Sequence, residues 1–194
     1  MLIRTLFVTA PLAMLLQAAP AVSSETTSQA SATPIEYLSA EDAFISLAGK
    51  WSGELQYRDY QSDELESITV AVTMEALPDG ETIIQRYDYS DPGFQVYITS
   101  LITVKDDVLA GATARAGRAF ETYEKAIAVT RQASPTDWGI VLTDESNDDN
   151  RPARIRETMT RDQSVLTVLK EVDYLDDDKE EWEFRNQITL TAQR

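Results

Sequence analysis

The sequence predicts an all-β protein: a single antiparallel up-and-down β-barrel of about nine or ten strands, preceded by one short helix. Three observations carry this. From Lys50 onward the apolar residues recur with period two. The segments so marked are joined by short polar turns, among them Pro78-Asp79-Gly80 and Asp91-Pro92-Gly93. After residue 50 no segment reads as a long helix, so nothing there is available to cover the apolar face of the sheet. Strands joined by short turns run antiparallel. A sheet with one apolar face and no covering helix closes on itself or folds into two layers.

Taken in order, the chain opens with Arg4 and an apolar run from Leu6 to Leu16. Ala19-Pro20-Ala21 then supplies a small-x-small pattern. This order describes a secretory signal peptide over residues 1–21, cleaved near Ala21-Val22, and an apolar run too short for a membrane span. Residues 22–38 are rich in Ser, Thr, Ala and Gln and read as a flexible leader. The barrel domain is expected over 39–194, with no membrane span in the mature chain. Ser39 with Asp42 three residues on is close to a capping box. Phe44 and Leu47 share a helical face, so a helix is expected over about 40–48, ended by Gly49.

The strands follow. Trp51, Gly53, Leu55 and Tyr57 share one face, as do Ile68, Val70, Val72 and Met74. Ile83, Gln85, Tyr87 and Tyr89 form the next set, then Phe94, Val96, Ile98, Ser100 and Ile102. The Ala- and Gly-rich stretch 108–118 fits a weak strand or a loop. A strand over about 119–130 carries Phe120, Tyr123, Ile127 and Val129, whose broken parity marks a bulge. Trp138, Ile140 and Leu142 precede a polar loop from Asp144 to Asn150. The last three strands carry Ala153 to Met159, Leu166 to Tyr174 and Trp182 to Leu190.

Composition narrows the chemistry. The 194 residues suit one domain. With no cysteine and no histidine, disulfides, thiolate catalysis, a Ser-His-Asp triad and a histidine-dependent zinc site are excluded. A net charge of −16 repels phosphate backbones, so nucleic acid is not an expected partner. Asp144 to Asn150 alternates oxygen ligands, but Asp149 stands where an EF-hand needs Gly and Ile155 where it needs Glu. No metal site and no cofactor are expected.

Gly49-Lys50-Trp51, set between the short helix and the first strand, resembles the opening of the calycin superfamily: lipocalins, fatty-acid-binding proteins and nitrobindin-like barrels. The resemblance implies that Trp51 plugs one end of the barrel under a basic side chain from the last strand. Arg194 is the expected partner and Arg185 the second choice. The nitrobindin haem histidine has no counterpart here.

The same parity places Gln85, Ser100, Glu157, Lys170 and Asn186 among apolar residues of the inner face. A tight turn at 162–163 would set Ile155 opposite Lys170 and make Glu157 and Lys170 diagonal neighbours. Tyr57, Tyr87, Tyr89 and Tyr97 gather in the first half of the barrel. The candidate ligand-binding residues are therefore Tyr57, Tyr87, Glu157, Lys170 and Asn186, with Lys170 holding a ligand's carboxylate. The competing reading is an internal ion pair or water-filled polar cluster. The expected function is that of an exported, non-enzymatic protein, periplasmic or extracellular, binding a small apolar or amphipathic ligand. The alternatives are a surface-acting envelope interaction module with a filled core, and a cofactor-free barrel cyclase or isomerase.

Overall fold

The computed structural model describes residues 38–194 except Tyr60 and Pro92. The expected signal peptide and nearly all of the leader lie outside the described residues. Helix α1 (Ala40–Ile45) begins on Ser39, whose hydroxyl accepts from the Asp42 amide while the Asp42 carboxylate accepts from the Ser39 amide. This reciprocal cap satisfies two amide groups that have no partner within the helix. The helix is shorter than expected. Ser46 is its C-cap, and Gly49 instead opens the first strand at φ 141°, a conformation that favours glycine.

Ten strands follow: β1 (Gly49–Arg58), β2 (Leu65–Ala76), β3 (Thr82–Asp91), β4 (Phe94–Lys105), β5 (Val108–Arg115), β6 (Glu121–Ser134), β7 (Asp137–Asp148), β8 (Arg151–Asp162), β9 (Val165–Tyr174) and β10 (Glu183–Ala192). Each pairs antiparallel with the next. β1 and β10 close the barrel, with Trp51 opposite Ala192 and Tyr57 opposite Asn186. Closure leaves no unpaired strand edge. Among the described residues no helix is long and apolar enough to cross a membrane.

The structure settles one open reading and corrects three others. The Ala- and Gly-rich stretch is strand β5. Gly111 faces Tyr123 across the β5–β6 ladder, and a Cβ at Gly111 would lie 2.3 Å from the Tyr123 ring. Glycine here makes room for the ring. In β6 the inward set is Tyr123, Lys125, Ile127 and Val129, in unbroken alternation, while Phe120 lies outside the strand and is exposed. The register shifts of β6 fall beyond Val129 instead. The polar stretch 144–148 belongs to β7, and only Asp149 and Asn150 turn, at φ 50° and 61°. A two-residue turn with both φ positive matches the twist of the flanking strands. Finally, Asp162 pairs with Val165, so Glu157 sits directly opposite Lys170 rather than diagonal to it. The two-residue shift keeps every inward side chain inward.

The strand directions give the barrel two unlike ends. The turns after β2, β4, β6 and β8 lie at the end where α1 packs against β3 and β4. Trp51, Trp138, Ile140, Leu166 and Leu190 are all buried there. The turns after β1, β3, β5, β7 and β9 surround the other end, the mouth.

Candidate functional site

A cavity of about 660 Å³ occupies the barrel between the α1 end and the mouth. Its walls combine aliphatic residues such as Ile98, Leu142 and Ile188 with polar side chains from eight strands, β3 to β10. Phe44 of α1 also lines it, and that ring is almost wholly buried.

Cross-strand pairing generates the polar wall. Tyr57 pairs with Asn186, Asn186 with Lys170, Lys170 with Glu157, and Glu157 with Leu142. One row across β1, β10, β9 and β8 thus holds four of the five residues nominated from the sequence. Asn186, Lys170 and Glu157 line the cavity, as does Tyr87 across the barrel. Tyr57 ends the row toward the mouth, half-buried, and is not part of the lining. Tyr97 points outward and is exposed.

Two ionic groups occupy this wall. Lys125 Nζ lies 2.7 Å from Glu157 Oε2 and 3.8 Å from Asp144 Oδ1. Lys170 Nζ lies 2.7 Å from Asp148 Oδ1. Asp148 also meets Arg185 Nε at 3.3 Å and accepts from the Tyr174 hydroxyl at 3.2 Å. Lys170 therefore enters the cavity already paired, with a carboxylate that it shares with Arg185. Asp144 is different. Its Oδ1 is buried and accepts no hydrogen bond among the described residues. Burial raises its pKa above the usual carboxylate value, with Glu157 adding to the shift and Lys125 opposing it.

Opposite this wall stand tyrosines. The rings of Tyr87 and Tyr89 stack with centroids 5.7 Å apart and planes 5° from parallel. The Tyr87 hydroxyl donates to Gln85 Oε1 at 3.2 Å. Burial raises the Tyr87 pKa strongly and pushes that of Tyr89 up to about 12, so both stay neutral. Tyr123 completes the aromatic side of the cavity, with Lys125 Nζ 5.6 Å from its ring centroid. Ser100 and Thr113, also nearby on the wall, bond to each other at 2.9 Å. Among the described residues no group of three or more Asp or Glu is arranged to hold a metal ion.

The plug differs from the expectation in its basic residue. The Trp51 indole donates to Leu47 O at 2.8 Å, and the guanidinium above its ring, at 5.4 Å, belongs to Arg161. Arg161 Nη1 also donates to Ser46 O at 2.5 Å and Ser46 Oγ at 2.9 Å. Arg194 lies two residues past the end of β10 and is exposed. Arg185 sits at the opposite end of β10, where Nη1 donates to Arg58 O at 2.5 Å. The last strand brings Ala192 beside Trp51, too short to cover the indole, and β8 supplies the cation instead.

Lys125, Asp144, Asp148 and Arg161 were not nominated from the sequence. The alternation of Tyr123, Lys125 and Ile127 was the available signal for the first. The spacing of Leu142, Asp144, Ser146 and Asp148 was the signal for the next two.

A solved structure of Rv2717c from M. tuberculosis is similar to this chain, with a TM-score of 0.57 and 12% identity over 81% of this chain and 99% of that one. At that identity the likeness concerns the fold. A protein of unknown function from the DUF3598 family of Nostoc punctiforme aligns over 79% of this chain and 99% of its own, at 8% identity and a TM-score of 0.24, too distant to bear on the fold. No protein-family model and no curated protein matches the chain.

Proposed function

We propose that this chain is an exported binding protein that holds a small, partly apolar molecule inside a calycin-like barrel. The observation that carries the reading is the cavity of about 660 Å³, lined by aliphatic and tyrosine side chains and by a few convergent polar groups. Binding sites for small molecules have this size and this mixture. A surface-acting module with a filled core would have no use for such a space. A cofactor-free enzyme asks for a strongly perturbed acid, whereas Lys125 and Lys170 restrain the shift at Asp144. Binding is therefore the reading the geometry supports best.

The test is native mass spectrometry of the protein purified from its own host. A retained small molecule, lost on denaturation, is the expected result. A protein that carries no added mass, and whose melting temperature does not respond to a lipid extract of that host, would sink the proposal. The same spectrum tests export, because a cleaved chain begins near Val22.

A further inference from the structure

Resting on the binding reading above, we infer that the ligand's polar head is an organic cation, a primary ammonium on an apolar tail, seated at Asp144 and facing the tyrosines. The argument starts from charge. Three carboxylates line the cavity, Glu121, Asp144 and Glu157, against two ammonium groups, Lys125 and Lys170. Lys170 is taken by Asp148, which reaches it at 2.7 Å from the mouth side. Lys125 is taken by Glu157 at 2.7 Å and stands 3.8 Å from Asp144. One ammonium thus serves two carboxylates, and Asp144 is the more distant of the two, at 3.8 Å against 2.7 Å for Glu157.

The position of that charge matters. Asp144 Oδ1 is buried without a hydrogen bond among the described residues. A buried acceptor left unsatisfied is costly, and a donor supplied by a ligand removes that cost. An ammonium is the donor that also gives Asp144 a close cation of its own. The tyrosine side of the same cavity suits it. Tyr87, Tyr89 and Tyr123 line it, and aromatic rings attract a cation placed over them. Burial keeps the Tyr87 and Tyr89 hydroxyls neutral. A carboxylate head would meet the same wall with both lysines already paired.

The experiment compares three probes with one tail: dodecylammonium, dodecanoate and dodecanol, each kept below its aggregation concentration. Binding is followed by calorimetry at neutral pH and physiological salt. Dodecylammonium is expected to bind at least about tenfold more tightly than either other probe, the scale of one charge-assisted hydrogen bond. Asp144→Asn, nearly isosteric, is expected to cost about tenfold for the ammonium and little for the alcohol. Lys125→Met, which frees both carboxylates, is expected to tighten ammonium binding, a gain that a damaged fold would not produce. Glu54→Gln, on the exposed outer face of β1, controls for the net charge of −16 and should change nothing. Dodecanoate binding as tightly as the ammonium, or an Asp144→Asn protein with unchanged affinity, overturns the head-group inference and leaves the cavity reading standing. Failure of all three probes to bind overturns both.

Discussion

Each end of the barrel buries an arginine, and the two are satisfied in opposite ways. At the α1 end Arg161 lies over the Trp51 ring and donates to the carbonyls of Ser46 and Gln163. Among the described residues no carboxylate shares this set of contacts. Burial lowers its pKa, as expected for a cation among neutral groups. At the mouth Arg185 and Lys170 converge on the carboxylate of Asp148, whose side chain is only 3% exposed. The first end is an indole-and-carbonyl plug of buried side chains. Ser46 ties it together, because its hydroxyl also accepts from the Trp138 indole at 3.3 Å. The second end is held apart by paired charges and leaves space below them. Apolar side chains left outside also gather at the mouth, with Phe120 and Leu175 exposed on its turns and Phe94 exposed at the start of β4. The difference teaches how one closed sheet can be both a core and a container. Packing specifies one end, and ionic groups that resist collapse specify the other.

The largest expected effect comes from the plug. Trp138 is completely buried, and Trp138→Ala should cost about 3–5 kcal/mol in denaturant unfolding, the range for aromatic truncations in a core. Next is Asp148→Asn. It leaves Lys170 and Arg185 without their shared carboxylate, and breaking such a buried pair costs about 3 kcal/mol or more. Lys170 is still 22% exposed, which moderates the loss. Pairing this change with Lys170→Met in a double-mutant cycle measures the coupling directly. A coupling near zero would break the contrast between the two ends. Third is Arg161→Leu, expected to cost about 2 kcal/mol through the lost carbonyl bonds and ring contact. Arg194→Leu, by comparison, should stay within about 0.5 kcal/mol, as exposed positions do.

The extent to which these two ends were legible follows from what each depends on. Alternation from Lys50 onward was enough for the barrel, its antiparallel order and the inward facing of Gln85, Glu157, Lys170 and Asn186. Periodicity is a local property, and it survives errors of register by two. Partner choice is not local. Arg161 and Trp51 meet because β8 ends against α1, a fact of closure that no spacing along the chain contains. Lys125 was hidden because Phe120, an exposed residue before β6, set the wrong phase for the strand. Small side chains hid β5, since Ala110, Gly111 and Ala112 carry almost no pattern. Asp144 and Asp148 were hidden by composition. Seven consecutive polar residues read as a loop, although a two-residue turn at Asp149-Asn150 suffices to pair them as strand.

The smallest expected change is also the one whose sign separates a container from a core. The pKa of Asp144 is raised above 3.8 on folding, chiefly by burial. The folded chain therefore binds that proton more tightly than the unfolded chain does. Its favourable contribution is complete below the unfolded value and is lost as the pH climbs through the folded value. At neutral pH the ionised group is a net cost to the fold. Asp144→Asn removes the titration, so it should raise the melting temperature at pH 7. The advantage over the wild type should shrink as the pH is lowered toward 3.8. Thermal melts of both proteins across that range read it directly. A variant that is less stable than wild type at pH 7 would mean that Asp144 is an internal structural partner of Lys125. A variant that is more stable, yet weaker toward dodecylammonium, would mark a residue kept at a cost to stability because the cavity uses its charge.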